Sequence, residues 1–350
     1  RVVNFDEKTP GFSSGKFSMM VAVGGDTVAL IETGKFDAAT VFKPTKKFVG
    51  PGGAGQNVFV FNTTSDPALA AIAPLTGAEV LRSGAGASNG YLYVSGLGGV
   101  VRLEDASTGF KKGWGFRGKT ELSELKQAGT GFTNFPGQPG NYVFRQLDTT
   151  IFGSASLDNL AAVTALAAKG DKLMAVGFNK LVETDKDGSS GTANTHTING
   201  GQDIVLTDAL AIVATTDGLY QQTLAAMGDA PTKVAAANGI AGIPTQLAFI
   251  PTKKGGLTDG NLFVLFTDQA AGTGSVHRFD VQGLNINLIA GAQPIDLGYR
   301  QHFAIDGGGV LLDASRVSPD NTETTRTKVG NANVSSLTSL IGVDPTKVAT

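Results

Sequence analysis

Between residues 110 and 119 three aromatic side chains are interleaved with four cations: Phe110, Lys111, Lys112, Trp114, Phe116, Arg117 and Lys119, the chain's single tryptophan among them. Ring faces stack on sugars and on other rings, while guanidinium and ammonium groups pair with anions. The segment is the first candidate for contact with a protein or a glycan. The competing reading tucks the rings onto the strands beneath and leaves the cations solvated.

A second candidate is Asp185-Lys-Asp-Gly-Ser-Ser190, where two carboxylates stand two residues apart ahead of a glycine. Oxygen-rich loops capture calcium, so Asp185 and Asp187 are the candidate metal ligands and calcium is the one cofactor the sequence admits. An EF-hand needs glycine at its sixth position and a bidentate acid at its twelfth. Here Gly188 comes fourth and the twelfth residue is His196, so a charged hairpin tip explains the same residues.

The imidazole supply is His196, His277 and His302, which could act with nearby carboxylates in the pairs His302 with Asp306 or His277 with Asp280. Nothing else gathers a ligand set around them, and ordinary placement in strands and loops accounts for all three. The Gly-rich runs 50–55 and 84–90 lack the Gly-Lys-Ser/Thr ending of a phosphate loop and serve better as turns. No nucleophile motif stands out together with its catalytic partners.

Composition narrows the classes further. Zero cysteines exclude a disulfide framework, thiolate metal sites and a cysteine nucleophile. A formal net charge of -2 supplies no long-range field for nucleic acid or an anionic membrane. No apolar run approaches the roughly 20 residues of a membrane-spanning helix, so no transmembrane segment is expected. The chain opens on Arg1 rather than methionine, consistent with a processed or truncated start and with export.

The elements that must position these residues are written in a repeated phrase. It runs from Asn89 to Leu103, from Asp171 to Glu183, from Asp208 to Tyr220 and, with a longer turn, from Asn261 to Phe279. Each copy is a turn residue, a short apolar strand, a Gly/Asn/Asp turn and a returning strand, the pattern of an antiparallel hairpin. A repeated unit that cannot bury its apolar face alone must stack against its neighbours. With Gly 48 and only 17% charged residues, the rest of the chain reads as turns joining short strands. The pattern breaks over 106–140, an insertion that carries the Trp114 segment.

With that insertion set aside, most intervals between hairpins approach the roughly 40–50 residues of one propeller blade. Across most of its length the chain resembles the β-propeller superfamily in general. The resemblance implies an all-β fold of antiparallel sheets around a central channel, seven blades or six, and no particular activity. The ring is expected over 1–313, with 314–350 as a closing segment or tail. The strand Val2 to Phe5 is expected to complete the last blade beside strands near 302–313, which would remove an open edge. Very little helix is expected, with Glu121 to Lys126 and Ser335 to Ile341 the favoured places for it. Period-2 alternation puts Leu92, Val94, Leu173, Ala175, Leu210, Ile212, Phe263 and Leu265 on the packing surfaces between blades.

The sequence thus points to an exported, non-catalytic scaffold that is secreted, periplasmic or at the cell surface. It would recognise a protein or glycan through loops on one face, or associate with itself. A structural subunit of a surface layer or extracellular filament is the near neighbour of this reading. The competing class is a propeller enzyme, a hydrolase or lyase with acidic residues and a metal in the channel.

Overall fold

A computed structural model describes residues 2–6, 17–37, 41–44, 58–82, 90–105, 142–152, 162–253, 256–292, 294–298, 303–305, 311–313 and 326–327. The chain divides into two compact units, Arg1–Ala175 with Glu183–Ala193, and Val176–Val182 with Asn194–Thr350. The described residues form six antiparallel sheets of three to five strands, and no described helix is long and apolar enough to cross a membrane.

The first sheet holds β1 (Val2–Asp6), β2 (Phe17–Gly24), β3 (Thr27–Asp37) and β4 (Val41–Pro44) in that order, with β5 (Val58–Asn62) also paired to β3. The β1 strand pairs with β2 from Val2 opposite Ala22 to Asp6 opposite Ser18. This corrects the expectation that it completes a last blade. A partner some ten residues away costs on the order of 3 kcal/mol less closure entropy than one some 300 residues away.

A short helix, α1 (Pro67–Ile72), follows. Asp66 caps it by accepting from the backbone N–H groups of Ala68 and Leu69 at 2.9 and 3.1 Å, and Pro67 stands at its first position, where no N–H is needed. Leu69 and Ile72 are buried, and Pro74 prevents the helix from continuing. The Asp-Pro pair was a legible start signal for this helix. The two helices expected from sequence lie outside the described residues.

The second sheet is a meander of β6 (Leu75–Arg82), β7 (Gly90–Gly96), β8 (Gly99–Asp105) and β9 (Tyr142–Gln146), followed by the short α2 (Thr149–Phe152). One face of this sheet is apolar: Ala78, Val80, Leu92, Val94, Val101, Leu103 and Phe144 join Val21, Val28, Leu30, Phe61 and the buried side of α1 in one core. The turn between β7 and β8 packs so closely on α1 that a Cβ on Gly96 or Gly98 would enter the backbone carbonyls of Ile72 and Ala71.

The next meander is β10 (Val163–Lys169), β11 (Lys172–Gly177), β12 (Lys180–Asp185) and β13 (Asn194–Thr197). It is followed by β14 (Gly201–Leu206), β15 (Leu210–Thr215), β16 (Gly218–Thr223) and β17 (Thr232–Lys233). Then come β18 (Ile243–Lys253), β19 (Gly256–Asp268), β20 (Thr273–Gln282) and β21 (Asn285–Leu288), with β22 (Ile295–Gly298) also on β20. The last sheet is β23 (Phe303–Ile305), β24 (Leu311–Asp313) and β25 (Arg326–Thr327). All four hairpins read from the sequence are present, as β7–β8, β11–β12, β15–β16 and β19–β20.

In the second unit Leu210, Ile212 and Ala214 form a core with Leu262, Val264, Phe266, Phe279 and Val281. Phe263 and Leu265 are buried too, at 4% and 1% exposure, but do not belong to that cluster, which corrects the face expected for them. The run Leu262 to Phe266 is apolar at every position because β19 is a central strand buried on both sides. Such a strand carries no period-2 signal.

One irregularity recurs. The first strand of three meanders has a bulge near its start, between Leu75 and Gly77, Gly201 and Asp203, and Pro244 and Gln246. Within each unit this region ties one first strand to another. Thr76 Oγ1 donates to the Val163 carbonyl at 2.7 Å, linking β6 to β10, and the Leu247 N–H donates to Asp203 Oδ2 at 2.8 Å, linking β18 to β14.

Candidate functional site

The insertion leaves the second sheet at the end of β8 and returns at the start of β9, where Asp105 and Tyr142 are register partners. Phe110, Lys111, Lys112, Trp114, Phe116, Arg117 and Lys119 lie outside the described residues. What the structure describes is the foot on which they stand.

That foot has one polar face. Antiparallel register places Glu79 opposite Tyr93, Tyr93 opposite Arg102, and Arg102 opposite Arg145, a row across β6, β7, β8 and β9. Because side chains alternate, this row faces away from the core formed by Val80, Leu92, Leu103 and Phe144. The Arg102 side chain is only 5% exposed, and its guanidinium carbon lies 4.9 Å from the centroid of the Tyr91 ring. Burial pushes the Tyr93 hydroxyl well above the usual phenol range, against the smaller opposing pull of the Arg102 charge and hydrogen bond.

The loop after β12 closes over this face. The Lys186 carbonyl accepts from the Tyr93 hydroxyl at 2.6 Å and from Arg102 Nη1 at 2.7 Å, and the same nitrogen pairs with Asp187 Oδ1 at 2.7 Å. Asp185 Oδ1 accepts from the N–H groups of Asp187 and Ser189 at 3.0 and 3.2 Å, which folds the turn onto itself. Gly188, at φ +66°, lies so close to Leu147 and Phe152 that any side chain would collide with both. The two carboxylates considered for calcium are therefore engaged by the turn's own N–H groups and by Arg102. A cation there would have to compete with Arg102 for Asp187. Among the described residues no group of three or more His, Asp or Glu side chains gathers as a metal site.

Beside the loop opens a cleft of about 590 Å³, lined among others by Arg102, Arg145, Asp148, Thr149, Asp187 and Ser189. Asp148 Oδ1 accepts from the N–H and hydroxyl of Thr150 at 2.8 and 2.7 Å and so starts α2. Arg145 and Ser189 are exposed, whereas Arg102 forms part of the buried floor.

Among the described residues, His196 and His277 do not assemble into a site. His196 Nε2 hydrogen-bonds the Met227 carbonyl. His277 contacts Ser275 Oγ at 3.0 Å and lies edge-on to Phe266. His302 and Asp306 fall outside the described residues.

The row Tyr93, Arg102 and Arg145 was not singled out from the sequence. Half of it was accessible there, because the tight turn Leu97-Gly98 fixes Tyr93 opposite Arg102. Arg145 was not, since the insertion erases any register between β8 and β9.

No protein-family model matches the chain, and no curated protein sequence matches it. Among solved structures, a chain of the S. cerevisiae complex of Dbp5 with Nup159, Gle1 and ADP aligns at 11% identity and TM-score 0.37, over 88% of this chain and 72% of that one. AztD from Citrobacter koseri aligns at 11% identity and TM-score 0.32, over 81% and 71%. The extracellular domain of a putative hybrid two component system from B. thetaiotaomicron aligns at 13% identity and TM-score 0.33, over 97% of this chain but only 36% of that one. At these values none of them bears on function, and the all-β assignment rests on the sheets themselves.

Proposed function

We propose that this chain is a non-catalytic recognition or assembly module of β-propeller type, acting at the cell exterior and binding a protein or glycan through the 106–140 insertion. The supporting observation is the way that insertion is mounted. It springs from paired residues, Asp105 and Tyr142, on a sheet fastened to the core by one face and to the 185–189 turn by the other. Rigid scaffolds that carry long loops are the usual platform for binding, since loop sequence can vary without disturbing strand pairing. The propeller arrangement is supported by sheets that are consecutive meanders and by first strands tied to one another at a recurrent bulge.

The experiment replaces 106–140 with a two-residue Asn-Gly turn. Full-length and shortened chains are then compared by glycan array and by crosslinking on intact cells of the source organism. Loss of a specific crosslink or glycan signal, with an unchanged melting curve, supports the reading. Retention of every signal by the shortened chain overturns it.

A further inference from the structure

We propose that the outer edge of β21 is a self-association edge, to which a second copy of this chain adds its own β21 antiparallel across a two-fold axis. The contact lies in a different sheet from the insertion and goes beyond the recognition reading.

The β21 strand is the last of its meander and pairs with β20 alone. The Ile289 N–H donates to the Arg278 carbonyl at 3.3 Å. Inward and outward pairs alternate along an antiparallel ladder, so Asn285 and Asn287 bond to β20 while the N–H and C=O groups of Ile286 and Leu288 turn outward. Among the described residues nothing pairs with those outward groups. An open edge of this kind is a template for another strand.

Proteins protect such edges with charge, proline or brevity. The last strands of the other meanders follow that rule: β9 carries Arg145, β17 is two residues long and ends on Lys233, and β13 exposes no large apolar side chain. The β21 edge is unprotected. No charged residue stands between Asp280 and Asp296, and Leu284 and Leu288 are 50% and 43% exposed on either side of the buried Ile286.

The sequence of this edge names its occupant. Leu284-Asn-Ile-Asn-Leu288 reads the same in both directions. Two antiparallel copies aligned on Ile286 therefore set Ile286 opposite its own counterpart, with both backbone bonds exchanged, and Asn285 opposite Asn287 of the second copy. Leu284, in the turn, comes beside Leu288 of the second copy on the face that already buries Ile286. The facing amides supply donors and acceptors to one another, and no like charges meet. The Leu284 carbonyl already accepts a long bond from Gln221 at 3.4 Å, so the pairing is centred on Ile286. A strand this short buries far less than the roughly 1,200 Å² of a stable complex, so the dimer is weak and reversible.

The test is sedimentation velocity on the full chain at constant ionic strength, from about 10 µM to 1 mM, the range in which weak complexes form. A reversible equilibrium between monomer and dimer is expected. Asn285→Lys with Asn287→Lys sets ammonium groups opposite one another across the two-fold axis and should weaken the dimer at least tenfold, with an unchanged melting curve. Asn285→Lys with Asn287→Asp sets opposite charges there and should restore it. By NMR, and without any variant, exchange of the Ile286 and Leu288 amide protons should slow several-fold from the lowest to the highest concentration. The chain shortened at 106–140 should dimerise as the parent does, which separates this contact from the recognition reading. The inference is overturned by a monomer at 1 mM, by a dimer that the paired lysines leave intact, or by a charge-complementary variant that dimerises no better than the lysine one. Unchanged exchange at Ile286 and Leu288, or loss of the dimer in the shortened chain, overturns it equally.

Discussion

The Tyr93 hydroxyl donates a 2.6 Å hydrogen bond to the carbonyl of Lys186, 93 residues further along the chain. Through it a buried side chain of β7 holds down the turn that carries Asp187. Tyr93→Phe removes this bond but leaves the Lys186 carbonyl its bond from Arg102. A loss of about 0.5–1.5 kcal/mol is expected at neutral pH, read by denaturant unfolding.

The same residue sets an alkaline limit. Burial raises the folded-state pKa of Tyr93 above the unfolded value of about 10, so the folded chain holds that proton more tightly. Its contribution is fully present below pH about 10 and is lost as pH rises beyond it. The free energy of unfolding measured across this range should fall more steeply in the parent chain than in Tyr93→Phe. Identical slopes would show that Tyr93 ionises as an exposed phenol.

Gly96→Ala should be strongly destabilising. The new methyl group would drive into the Ile72 carbonyl, and backbone on both sides leaves nothing flexible to yield. A cost of about 1–3 kcal/mol or more is expected from overpacking, whereas Gly228→Ala, with open space around its Cβ position, should leave the melting midpoint nearly unchanged.

Core truncations give the fourth test. Leu173 is fully buried and Phe263 is 4% exposed, so replacing either with alanine should cost about 2–5 kcal/mol. An unchanged midpoint for either would contradict its burial.

Hairpins were legible because each is local. Asn, Asp and Gly at the turns and apolar residues between them specify β7–β8 or β15–β16 without reference to the rest of the chain. The side that each residue faces was legible only where alternation survives. It fails in Leu262 to Phe266, where both faces of β19 are buried. The polar face at the foot of the insertion depends on pairing β8 with β9 across 106–141 and on bringing the 185–189 turn onto Tyr93 and Arg102. Those contacts join residues about 40 to 90 positions apart, and local periodicity carries no record of such distances. Asp187 was noticed for its carboxylate; its partner Arg102, inside an apolar strand, was not.

The most direct test of the account is the triple substitution Trp114→Ala, Lys111→Ala and Arg117→Ala, assayed for binding on intact cells and by melting curve. The account predicts that binding or assembly is abolished while the melting midpoint stays within a degree or two of the parent, as for surface substitutions outside the core. Normal binding by the triple variant, or its unfolding, would contradict the insertion as the binding element.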